Sequence, residues 1–170
     1  DASSLAANTT PVTTTIAGTG AVPSFALDVA QIGGMYAGKI YLIGTEQGLG
    51  VRSAGTIGST GGDLVLQNSG WLTTTGTLRA NGNVSISTAG NLDSSSTGVI
   101  AATGNVALNV ATDVSNAGLI SASNTLNVSS ANINNSVTGE LSGTTTQLSA
   151  TQTLTNRGLI NGIETQLNAT

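Results

Sequence analysis

The stretch GTLRANGNVSISTAGNLDSSSTGVI, residues 76–100, decides the fold. It opens on Gly76 with Leu78 two residues later, alternates Val84 and Ile86, reaches Leu92, and begins again at Gly98 and Ile100. Alternation of period two marks strands with one face turned inward. β-Branched residues are abundant and no 3.6-residue stripe persists, so helix is the weaker reading.

The same unit extends in both directions. Gly55, Gly76, Gly98, Gly118, Gly139 and Gly158 follow one another at steps of 21, 22, 20, 21 and 19, each with an aliphatic two residues on: Ile57, Leu78, Ile100, Ile120, Leu141 and Ile160. A second column in phase with it holds Leu66, Ile86, Leu108, Val128, Leu148 and Leu167, and a third holds Val51, Leu72, Leu92, Val114, Ile133 and Leu154. Two residues before the second column stand Leu64, Val84, Val106 and Leu126, then Thr146 and Thr165, so the alternation weakens toward the C-terminus.

Two-residue hairpin turns do not flank these segments regularly, and equivalent segments fall one whole repeat apart. If each repeat makes one turn of a coil, equivalent strands stack in parallel about 4.8 Å apart. The expected fold is therefore all-β: a right-handed parallel β-helix, or β-solenoid, with three short strands per coil of about 20 residues and about six to seven coils. Gly62-Asp63, Gly82-Asn83 and Gly104-Asn105 look like turns in which glycine supplies a positive φ. Length varies between columns, before Gly98 and before Gly139, where a solenoid tolerates it. The step from Leu42 to Leu66 is 24, which predicts a larger first coil. Residues 1–34 are expected to form an irregular N-terminal segment and cap, with a strand near 25–29, and residues 35–170 the repeat region.

Composition fits a stacked coil. Only 7% of residues are charged and 2% aromatic, against roughly 25% charged in an average domain. A narrow interior holds Leu, Ile and Val more readily than rings, and like charges stacked coil on coil would repel where Ser, Thr and Asn form ladders. The 38% hydrophobic content argues against disorder. With no His and no Cys, the chain has no His-dependent nucleophile, no zinc ribbon and no disulfide framework. Four basic residues and a net charge of −4 exclude a grip on nucleic-acid phosphates. No apolar run reaches the roughly 20 residues of a membrane span, and the start at Asp1 shows no basic segment leading into an apolar core.

The stretch FALDVAQIGGMYAGKIYLIGTEQGLGVRSAGTIGS (residues 25–59), followed by GDLVLQNSGWLTTTGTLRA (62–80), resembles the haemagglutinin-repeat region of filamentous haemagglutinin-like exoproteins. That family includes adhesins and contact-dependent inhibition exoproteins of Gram-negative bacteria. The resemblance implies a long β-helical rod exported by Sec and then through an outer-membrane two-partner-secretion transporter. It also implies a secreted, cell-surface location. Without the family's secretion-domain motifs or a C-terminal toxin, the chain is expected to be a shaft segment, with direct adhesion to a cell-surface glycan or protein receptor as the alternative.

No residue set points to catalysis, a cofactor or a metal. Asp93 and Asp113 stand on opposite sides of their column aliphatics and are not expected to converge, as glycosidase chemistry requires. Gly61-Gly62-Asp63-Leu64 echoes a calcium nonapeptide once, without the nine-residue period, and reads as a turn. Asn8, Asn83, Asn127, Asn134 and Asn168 fit N-x-Ser/Thr, a match expected by accident in so Asn- and Thr-rich a chain. Lys39, Arg52, Arg79 and Arg157 fall in different columns. Trp71 and Tyr41, both expected to point outward, are the candidate glycan or partner contacts. For Trp71, the plainer alternative is that the ring covers Gly50 one coil earlier. An isolated segment would expose strand edges at its ends and invite end-to-end association.

Overall fold

A computed structural model describes residues 25–30 and 33–169. Every described strand pairing is parallel, and the strands wind into a β-solenoid of seven coils with three faces. The second face is a seven-stranded sheet running from Gly34–Ala37 through Thr56–Ser59, Thr77–Ala80, Val99–Ala102, Leu119–Ala122 and Glu140–Ser142 to Leu159–Asn161. The first face begins with Phe25–Val29, Gly50–Ser53, Leu72–Thr74 and Leu92–Ser94, and the third with Ile40–Gly44, Leu64–Asn68, Val84–Thr88 and Val106–Val110. The expected segment and cap over residues 1–24 lie outside the described residues.

The three apolar columns form the register of the three faces. Leu78 lies between Ile57 and Ile100, Ile86 between Leu66 and Leu108, and Leu72 between Val51 and Leu92. The columns also run below their first expected members, with Met35 under Ile57, Leu42 under Leu66 and Leu27 under Val51. Ile57, Leu64, Leu66, Leu78, Ile100 and Ile120 are fully buried, and each such side chain stabilises the fold by about 1.5–3 kcal/mol. Leu148 is buried and Ile160 packs partly buried against the core. Leu167 stays in register over Leu148 yet is 54% exposed, because no described coil lies above it.

Two strands are longer than the expected short segments. Thr125–Asn135 and Thr145–Asn156 run on from the third face into the first. The former has a register shift between Ser130 and Asn132 where it turns the corner.

The glycines next to the second face are there because the coils approach closely. A Cβ on Gly55 would lie 1.9 Å from the Gly33 carbonyl oxygen, one on Gly76 2.0 Å from that of Gly55, and one on Gly118 2.1 Å from that of Gly98. The expectation of positive φ at Gly62, Gly82 and Gly104 is wrong: among the described residues only Gly48 has it, at 78°. Crowding explains two of these positions, since a Cβ on Gly82 would meet Asp63 Oδ1 at 2.4 Å and one on Gly104 would meet Asn83 Oδ1 at 2.5 Å.

Candidate functional site

Where two faces meet, the stack is held by side-chain ladders. Between the second and third faces, Asp63 Oδ1 accepts the Asn83 backbone N–H at 2.8 Å, Asn83 Oδ1 accepts that of Asn105 at 2.9 Å, and Asn105 Oδ1 accepts that of Thr125 at 3.1 Å. Alongside, Asn81 donates to the Thr60 carbonyl, Thr103 to that of Asn81 and Thr144 to that of Ser123. The glycine turn that echoed a calcium motif is therefore the first rung of an Asx ladder. No group of three or more His, Cys, Asp or Glu converges among the described residues.

A second column is buried up to Asn135 and ends on the exposed Asn156. Ser53, Thr74, Ser94, Asn116, Asn135 and Asn156 stack in register at the end of the first face. Asn116 Nδ2 donates to Asn135 Oδ1 at 2.9 Å and to the carbonyls of Gly118 and Glu140 at 3.1 Å. Asn135 Nδ2 repeats this one coil up, donating to Asn156 Oδ1 at 2.8 Å and to the carbonyls of Gly139 and Leu159. Sequence reasoning missed this column although a signal existed: each member stands two residues after an aliphatic of the first-face column and so has inward parity.

The aromatic residues gather in the first three coils. Gly50 lies opposite Phe25, and a Cβ on it would fall 2.1 Å from Trp71 Cδ2 and Cε2. The half-buried Trp71 ring thus covers Gly50 and meets Phe25 edge-on, with centroids 5.4 Å apart and planes at 76°. The Arg52 guanidinium sits 4.7 Å from the Phe25 centroid. It also donates to both carboxylate oxygens of Asp28, Nε to Oδ1 at 3.0 Å and Nη2 to Oδ2 at 2.5 Å. Those hydrogen bonds, with the guanidinium charge, hold the Asp28 carboxyl below its ordinary range and raise Arg52 above its own.

Tyr41 points outward on the third face, 61% exposed, and Tyr36, not singled out from sequence, is 62% exposed on the second. Asp93 pairs in register with Ser115, and Asp113 with Asn132, whose Nδ2 donates to Asp113 Oδ1 at 2.7 Å. The two carboxylates occupy different register columns. Of the N-x-Ser/Thr asparagines, Asn83 is committed to the corner ladder, Asn127, Asn134 and Asn168 are exposed, and Asn8 lies outside the described residues.

Comparison with known proteins places these observations in a family. The haemagglutinin repeat family matches residues 2–96 and 101–158. Similar proteins include Toxin CdiA of Yersinia pestis, 44% identical over 72 residues, which are 42% of this chain and 2% of that protein. The tRNA nuclease CdiA-2 of Burkholderia pseudomallei is 48% identical over 63 residues, 37% of this chain and 2% of that protein. The tRNA nuclease CdiA of Escherichia coli strain NC101 is 36% identical over 93 residues, 44% of this chain and 3% of that protein. The matched segments thus span only a few per cent of these relatives. No solved structure matches the chain. With the match running through nearly all of its coils, the chain belongs to the haemagglutinin repeat family.

Proposed function

We propose that this chain is a structural shaft segment of a secreted bacterial surface exoprotein of the adhesin or contact-dependent inhibition type. It projects distal binding or toxin regions from a Gram-negative cell. The observation that carries this reading is the parallel stacking of seven coils, with glycine contacts beside the second face and side-chain ladders running from Asp63 to Thr125 and from Asn116 to Asn156. Export runs through an outer-membrane two-partner-secretion transporter, and coil stacking outside the cell helps to draw the chain across. On this reading the segment performs no catalysis and carries no cofactor.

The test is to delete the seven coils as a block from the complete exoprotein and image it on cells. A rod shortened by roughly 30 Å, with distal activity kept, is expected. Lost distal activity with export and rod continuity intact would overturn the shaft role.

A second reading, a direct adhesive module, is favoured by the outward placement of Tyr41 and the partial exposure of Trp71. It predicts glycan-array binding by the isolated chain that Trp71→Ala or Tyr41→Ala abolishes. An array with no bound glycan would count against it.

A further inference from the structure

All four aromatic residues and three of the four cations fall between Phe25 and Arg79. Phe25 and Trp71 are used in packing against one another and Gly50, and Arg52 is paired with Asp28. Tyr36 also covers glycines but stays mostly exposed, and Arg79 is exposed as well.

Tyr36 rests on a floor of two glycines. A Cβ on Gly34 would lie 2.7 Å from Tyr36 Cε2, and one on Gly58 would lie 3.2 Å from Cδ1 and 3.3 Å from Cε1, so opposite edges of the ring are supported by bare backbone. The ring is nonetheless 62% exposed. It is an aromatic surface held in place on one side and open to solvent on the other, so little side-chain freedom remains to be lost when something stacks on it.

Arg79 reaches the same spot from the other side. Tyr36, Gly58 and Arg79 are consecutive rungs of one outward column on the second face. Arg79 Nε lies 3.7 Å from the point that a Gly58 Cβ would occupy. The side chain is exposed and forms no ion pair among the described residues.

We propose that Tyr36 and Arg79 form a binding site for a carboxylated pyranose, such as a uronic-acid unit of an acidic glycan. The apolar C–H face of the sugar stacks on Tyr36, and its carboxylate accepts N–H donors of the Arg79 guanidinium in the fork geometry that suits a planar acid. Both groups border the Gly58 position, Tyr36 Cδ1 at 3.2 Å and Arg79 Nε at 3.7 Å from the point its Cβ would occupy, so one pyranose with its ring-attached carboxylate can reach both. The site rests neither on the shaft role nor on Trp71, since a rod can carry it on one face.

The experiment titrates the 170-residue chain with trigalacturonate and with neutral maltotriose, following side-chain and backbone signals by NMR. Trigalacturonate is expected to bind at least about tenfold more tightly, moving signals of Tyr36, Gly58 and Arg79. Arg79→Gln removes the preference for the acid, Tyr36→Ala weakens both sugars, and Tyr36→Phe retains binding. Because Arg79 points outward, R79Q is expected to keep the wild-type amide spectrum and so separates loss of binding from loss of fold. Equal affinity for the two sugars, absence of binding, or shifts centred on Trp71 would each overturn the assignment.

Discussion

At the residue scale, the glycine column makes the sharpest statement. The Cβ of Gly118→Ala would lie 2.1 Å from the Gly98 carbonyl oxygen, a backbone atom that cannot swing away. The substitution is expected to cost about 3 kcal/mol in urea denaturation. Gly61→Ala meets its nearest atom at 3.6 Å and should stay within about 0.5 kcal/mol of wild type. Asp28 supplies a test by pH: its folded pKa lies below its ordinary 3.8, so the pairing with Arg52 contributes above the ordinary carboxylate range and is lost as pH falls through the lowered value. An NMR titration should place the Asp28 midpoint below 3.8, and Arg52→Gln should return it there.

At the element scale, the apolar columns and the polar ladder differ in how openly the sequence declares them. Leu78, Ile86 and Leu72 were legible because aliphatics at fixed steps stand out among Ser, Thr and Asn, and all three sit in their expected registers. The Asn116–Asn135–Asn156 ladder was not, because asparagine ordinarily signals a turn or the outside; only the parity of its position says inward. Nor was Tyr36, whose two supporting glycines, Gly34 and Gly58, come together only once the coils stack. Asn135→Ala strips an acceptor from Asn116 and a donor from the Gly139 and Leu159 carbonyls, and should cost about 2–3 kcal/mol. Ile120→Ala, fully buried in the middle of the second face, should cost about 2–5 kcal/mol by the same denaturation measurement. Leu167→Ala, in the exposed last strand, should cost well under 1 kcal/mol.

For the whole molecule, each coil touches only its neighbours, so stability is close to a sum of coil and interface terms. Hydrogen exchange of the isolated chain should accordingly be slowest in Val84–Thr88, Val99–Ala102 and Val106–Val110 and fastest in Leu159–Asn161 and Glu164–Ala169, which no described coil covers. A uniform exchange rate along the chain would show an all-or-none unit instead. Among the described residues Glu164–Ala169 pairs only with Thr145–Asn156 below it, which leaves its outer edge open, so sedimentation of the isolated chain should reveal concentration-dependent end-to-end association.

The glycine-on-carbonyl contact between successive coils also makes the rod a ruler. An extended strand advances about 3.3 Å per residue, whereas a coil of about 20 residues advances the solenoid by only about 4.8 Å, or roughly 0.24 Å per residue. Length can therefore change by duplicating or losing a whole repeat, because each new glycine finds the carbonyl it needs on the turn beneath. A single residue inserted inside a strand turns its aliphatic outward and breaks the graduation. The distance at which such a rod holds its far end is thus written into the gene in steps of one coil.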